Sequence, residues 1–335
     1  MSRGSRTSRG VAVAAFALLA TVACAPSSNG DDDESAAPAD SNYPERTIEV
    51  IVPYPAGGGS DVLARALVDA INADGGLGQD VQIVNRAGGG GVVGTSDVLA
   101  AEADGYTIGF GPEGPITLQP AVQDVPYDAT SLTPLLQVTE GSSILAVPGD
   151  SPYQTLDDLV AGATAAPGTV TLGEGPLSYS VPVTLFEQDS GATFNRIDFE
   201  GDAASTTALL GGNVDATMTQ IAAVLPQVAS GGIRVLGVVG EERSEFLPDV
   251  PTFIEEGYDV NWSTVYSVFG PADLPDDVNQ KLIDAFSDAA ESDSFREIAE
   301  TAGLPIAVED ADSLAEYLTE RSARAKELAE ANGGL

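Results

Sequence analysis

Residues 52–67 read VPYPAGGGSDVLARAL, with three consecutive glycines set between an apolar run and an amphipathic one. Upstream, TIEVIV (47–52) is short and mostly β-branched, which predicts a buried strand. Downstream, Leu63, Ala66, Leu67, Ala70 and Ile71 recur at helical spacing. The stretch therefore predicts strand, glycine loop, helix. The same order returns in VQIV (81–84), NRAGGGG (85–91) and VVGTSDVLAAEA (92–103), and GYTIGFG (105–111) leads into another Gly-Pro loop. Strands alternating with helices predict an α/β lobe built on a mostly parallel sheet flanked by helices.

Near Ile144 a second run of the same kind begins: ILAV (144–147), a helix opening at Thr155 with Asp158 three residues on, VTL (170–172), and a helix around 181–189. NRIDF (195–199), AASTTALL (203–210), VDATM (214–218) and IRVLGVV (233–239) continue it. This predicts a second lobe over 144–254, the first being discontinuous, 43–143 plus 255–335. The tail from Pro275 reads as mostly helical, with Ser313 and Glu316 expected to form a capping box.

The chain's 335 residues carry 14 Lys+Arg against 51 Asp+Glu, a net charge of −37 that makes nucleic acid a poor partner. With no histidine and one cysteine, most nucleophile–base pairs and transition-metal sites are excluded. No EF-hand pattern occurs either, and no cofactor is expected. Arg3, Arg6 and Arg9 precede VAVAAFALLATVA (11–23), a run too short to span a membrane and suited to an export signal. The segment TVAC (21–24) resembles the bacterial lipobox, which implies lipidation of Cys24 and removal of residues 1–23. Residues 24–42 then read as an acidic, flexible tether.

Ligands of open α/β sheets sit beyond the carboxyl ends of strands, where helix N-termini present unsatisfied N–H groups. A carboxylate can be held there without lysine or arginine, and glycine lets it approach the backbone. A tight turn would use the same glycines, and both readings of Gly57, Gly58 and Gly59 stand open. Asp61, in the first helical turn, reads as a brace for the loop. Gly89, Gly91 and Gly94 match G-x-G-x-x-G with Glu113 nineteen residues beyond, a dinucleotide fingerprint set against ordinary packing. Glu113, Glu174 and Glu200, in predicted loops after strands, leave open an exported carboxylate-dependent hydrolase. An envelope interaction or sensor protein that has lost transport is a further alternative.

Taken together, 48–67, 85–111, VPYD (125–128), LLGGNVDATM (209–218) and 231–258 resemble, in order, the Bug family, the extracytoplasmic substrate-binding components of tripartite tricarboxylate transporters. The resemblance implies a two-domain periplasmic-binding-protein fold with the ligand cleft between lobes, no catalysis, and a monomer. It also implies delivery of a small-molecule solute to large and small integral-membrane subunits, from a lipid-anchored position on the outer face of the cytoplasmic membrane or in the periplasm. Two facing loops would hold the ligand: Pro55, Ala56, Gly57, Gly58, Gly59, Ser60 and Asp61 on one side, and Gly175, Pro176, Leu177, Ser178 and Tyr179 on the other. Gly111, Pro112, Glu113, Phe199, Glu200, Gly201, Asp202 and Trp262 would complete the lining. The family's GNGTSS-like loop is replaced by GEGPLSYS (173–180), and its YKG by FEG (199–201). These departures predict an acidic cleft suited to a carboxylated or polar metabolite, one whose amine the glutamates would pair.

Overall fold

The computed structural model describes residues 42–199 and 201–335, so the export signal, Cys24, nearly all of the tether, and Glu200 lie outside the described residues. Strand β1 (Ile48–Val52) feeds α1 (Gly59–Asp74), β2 (Val81–Asn85) feeds α2 (Val92–Leu99), and β3 (Thr107–Pro112) feeds the short α3 (Gly114–Thr117) and α4 (Gln119–Val122). After β4 (Leu132–Gly141), a single residue, Ser142, separates it from β5 (Ser143–Pro148), which belongs to another sheet. Helix α5 (Leu156–Ala165), β6 (Thr171–Glu174), α6 (Leu177–Ser190), β7 (Asn195–Asp198), α7 (Asp202–Leu210), β8 (Ala216–Gln220), α8 (Leu225–Ala229) and β9 (Ile233–Val238) build around it. The chain returns through β10 (Thr264–Pro271) to α9 (Asp276–Glu291), α10 (Asp293–Thr301), β11 (Ile306–Glu309) and α11 (Ala311–Asn332).

The strands form a six-stranded sheet, β11-β4-β10-β3-β1-β2, and a five-stranded one, β7-β6-β8-β5-β9. Two α/β lobes are therefore present, but the sheets are mixed where the sequence predicts mostly parallel ones. Strands β1, β2 and β3 are parallel, as are β6, β7 and β8, whereas β10 is antiparallel to both β3 and β4, β11 to β4, and β5 to both β8 and β9. The cause is topological: a chain that leaves one sheet and later returns must cross in both directions, and β4, β5, β9 and β10 are the strands flanking those crossings.

Burial follows the strand period of two. Ile48, Val50 and Val52 enter the core beneath α1 and α9, while Ile51 enters the cluster on the opposite face with Val98, Phe269 and Leu314. A strand covered on both faces reads as the continuous apolar run found in the sequence. Helix α11 serves both lobes: Leu314 and Leu318 pack with the first sheet, and Ala325 and Leu328 with Leu156, Phe186 and Trp262 of the second.

The helix expected to open at Thr155 does so with a capping box, the Asp158 amide donating to Thr155 and the Thr155 amide to Asp158. The Ser313–Glu316 box is not. Asp310 is the N-cap of α11, its Oδ1 accepting from the Ser313 amide at 2.9 Å, so the helix starts a turn earlier than expected. Asp310→Ala should cost ~1 kcal/mol in a denaturant melt, while Glu316→Ala should stay within ~0.5 kcal/mol. The reverse ranking would restore the capping box at Ser313.

Candidate ligand-binding site

The glycine loop after β1 is organised by one carboxylate. Asp61 is 2 % exposed and accepts from the Gly57 amide at 2.8 Å, from Arg65 Nε at 2.9 Å, and from Asn85 Nδ2 at 3.0 Å. The Arg65 hydrogen bond, with further help from those of Gly57 and Asn85, holds its pKa down at about 2. Gly57 sits at φ +82°, where a side chain would be strained. Asp61 is thus turned into the loop, in line with the bracing role read from the sequence. The first-turn amides of Gly59 and Ser60 have no acceptor within their own helix.

Those amides border a cavity of about 470 Å³ between the two sheets. The N-terminal turns of α1, α6 and α7 reach it through Gly59 and Ser60, through Pro176, Ser178 and Tyr179, and through Asp202. Pro112, at the end of β3, lies between them. Partial positive charge at several helix starts on one space suits an anion, and no lysine or arginine among the described residues lines the cavity. Ser60 and Tyr266 both line the cavity and bring hydroxyl groups to it.

Other predicted residues lie elsewhere. Pro55, Ala56, Gly57 and Gly58 form the exposed outer bend, with the Gly58 amide reaching the Pro55 carbonyl at 3.4 Å. Leu177 packs into the second core and Phe199 into the cluster behind it, against Gly173. Gly175 abuts the Tyr179 ring, Gly111 abuts Pro53, and Gly201 serves as the N-cap of α7. Trp262 is 1 % exposed in the second core beneath the Arg321 guanidinium, 4.3 Å from its ring centroid.

Two of the three glutamates expected to acidify the cleft, Glu113 and Glu174, do not line it; Glu200 lies outside the described residues. Glu174 is 3 % exposed and held by Arg196 through two hydrogen bonds of 3.0 Å. Glu113 is fully buried, its Oε2 accepting from the Val265 amide at 2.9 Å and its Oε1 without a partner among the described residues. Neither can meet a substrate as a hydrolytic acid or base. The dinucleotide fingerprint gives way to packing as well: a Cβ at Gly91 would sit 2.4 Å from Pro115, and one at Gly94 2.7 Å from the Arg86 carbonyl oxygen.

The sequence reading missed Tyr54, Gln220, Thr264 and Tyr266, and a wall made by Ile298, Thr301, Ala302 and Leu304. Tyr54 lies inside the opening stretch, but Thr264 and Tyr266 belong to an unrecognised strand and the wall to the α10–β11 turn. A larger cavity, about 760 Å³, lies by the crossover strands and includes Arg243, Arg296 and Arg321. Its cations are a poor anion trap. Arg243 pairs with Glu255 at 2.7 Å, Arg321 stacks on Trp262 and Tyr317, and five glutamates share the lining.

Burial raises the Glu113 pKa from 4.5 to about 7. Between those values the folded chain keeps a proton that the unfolded chain releases, so stability falls as pH rises through the window, by up to ~1.4 kcal/mol per pH unit. Glu113→Gln does not titrate. Its stability relative to wild type should climb from about pH 4.5 and level off above about pH 7 in denaturant melts. A difference independent of pH would contradict the buried-acid assignment.

The model of the tripartite tricarboxylate transporter family receptor matches residues 63–334. Protein BugT of Bordetella pertussis is 35 % identical over 224 residues, covering 64 % of this chain and 67 % of that protein. A Cupriavidus necator protein, the UPF0065 protein in the gbd 5′ region, is 33 % identical over 258 residues, covering 76 % and 78 %. Among solved structures, a TctC solute-binding protein from Polaromonas superposes with TM-score 0.75 at 27 % identity, over 86 % of this chain and 99 % of that one. The periplasmic binding protein BugD gives 0.74 at 26 %, over 87 % and 99 %, and an R. palustris protein with adipate gives 0.77 at 26 %, over 88 % and 99 %. With helix starts from both sheets meeting at one cavity, these likenesses have one reading: the chain belongs to the tripartite tricarboxylate transporter receptors, the Bug family, and is a solute-binding receptor rather than an enzyme.

Proposed function

We propose that this receptor captures a small carboxylated metabolite in the cavity between its sheets and delivers it to the large and small membrane subunits of a tripartite tricarboxylate-type transporter. The observation that carries the reading is the convergence of the α1 and α6 N-termini, from different sheets, on one cavity lined by no lysine or arginine. Backbone amides of Gly59, Ser60 and Ser178, with the Tyr266 hydroxyl, would hold the carboxylate, and the aliphatic wall of Ile298, Ala302 and Leu304 would cover its body. The adipate held by the R. palustris relative supports a ligand of this kind. The moving bodies are 43–143 with 255–335 and 144–254, closing as a monomer, with Cys24 carrying the lipid anchor after removal of 1–23.

Micromolar affinity needs ~8 kcal/mol, within reach of several charge-assisted hydrogen bonds after the cost of association. Gly59→Pro isolates one of them. Gly59 is the first helical residue, where proline is favoured, Gly58 before it is extended at ψ 171°, and no atom lies within 4 Å of a Cβ at Gly59. The variant should therefore melt like the wild type while losing an amide donor worth ~1.5–3 kcal/mol, about ten- to hundredfold in affinity by calorimetry with mono- and dicarboxylates. Unchanged affinity would remove the α1 N-terminus from the site. For the anchor, Cys24→Ser should move the exported protein from the membrane to the soluble fraction, and continued membrane association would count against lipidation.

A further inference from the structure

Among the described residues, one acid does face the cavity. Asp202, at the first position of α7, lines it from the second lobe, whereas Ser60 and Tyr266 line it from the first. Its Oδ1 accepts from the Thr219 hydroxyl at 2.7 Å and from the Gln220 amide at 3.2 Å, which fixes the carboxylate to the end of β8. Tyr179 is buried and lines the cavity with Asp202. Two donors on a carboxylate with about four acceptor sites leave room for another. Gln220, whose backbone amide donates to Asp202, also lines the cavity, and its side-chain oxygen is buried without a donor among the described residues.

The two lobes therefore contribute differently to the cavity. The first offers donors, the Gly59 and Ser60 amides and the Tyr266 hydroxyl. The second offers, beside the α6 turn, two acceptors, one of them ionic, and no cation among the described residues lines the cavity to answer them. A ligand carboxylate brought to Asp202 would meet like charge in a partly buried space, whereas an ammonium would satisfy both acceptors at once.

We infer that Asp202 and Gln220 form a selectivity subsite for a protonated amine, so that this receptor prefers a zwitterion, carboxylate at one end and ammonium at the other, to the dicarboxylate of equal length. The inference rests on the receptor function proposed above and narrows its ligand class. Asp202 is the specificity-determining residue, and Gln220 supplies the second acceptor.

Matched pairs of probes test it on the mature protein by calorimetry: 4-aminobutanoate against succinate, 5-aminopentanoate against glutarate, and 6-aminohexanoate against adipate. In at least one pair the amino acid should bind tenfold or more tightly than its dicarboxylate. Asp202→Asn, which keeps the acceptor for Thr219 and the Gln220 amide, should shrink that ratio at least tenfold while leaving the melting temperature near that of the wild type. Should Asn at 202 disturb the fold, Gln220→Glu gives a second reading, expected to raise the ratio by adding negative charge. Dicarboxylates binding as tightly as the amino acids, or a ratio unmoved in both variants, would overturn the subsite and leave the receptor function standing. Failure of every carboxylate in the panel to bind would overturn both.

Discussion

The carboxylate of Asp61 gathers the Gly57 amide, the Arg65 guanidinium and the Asn85 amide into one cluster, and the loop that borders the cavity is held by that arrangement. Because these donors occupy Asp61, its charge is spent inside the loop instead of repelling an anion at the helix start. The following amides are left unanswered in their own helix, and the α6 turn across the cavity repeats the condition without a charged brace. Polar groups that must find a partner, and whose own secondary structure provides none, are the physical basis of a binding site here.

The arrangement works only if two sheets hold those turns face to face. Two crossovers do so, one of a single residue between β4 and β5 and one returning from β9 to β10, with α11 lying across both cores. Near the wall of the cavity the lobes also touch directly: a Cβ at Gly303, after α10, would come within 3.1 Å of the Ala222 amide after β8. Bulk at that position would press the lobes apart, so the small residue is part of what lets the cavity be enclosed.

Much of this was legible before any coordinates. The glycine loops between β-branched runs and amphipathic helices placed β1–α1, β2–α2, β6–α6 and β7–α7, because local periodicity and loop chemistry both report on such units. Strands β4, β10 and β11 went unread. Their partners lie far along the chain, and β4 (LTPLLQVTEG) and β10 (TVYSVFGP) contain proline and glycine that blur alternation. Missing them also hid the antiparallel half of the six-stranded sheet, and with it Thr264 and Tyr266. In the site, the family resemblance pointed to Gly59, Ser60, Ser178 and Asp202, but could not tell inward from outward side chains. Glu113 and Glu174 follow strands just as a ligand residue would, yet one turns under β10 and the other to Arg196.

The most direct measurement is a crystal structure of the mature protein with a bound carboxylate. The account predicts carboxylate oxygens about 3 Å from the Gly59 and Ser60 amide nitrogens, with no lysine or arginine side chain in contact. A carboxylate seated instead beside Arg243, Arg296 or Arg321 in the cavity by the crossover strands would contradict it.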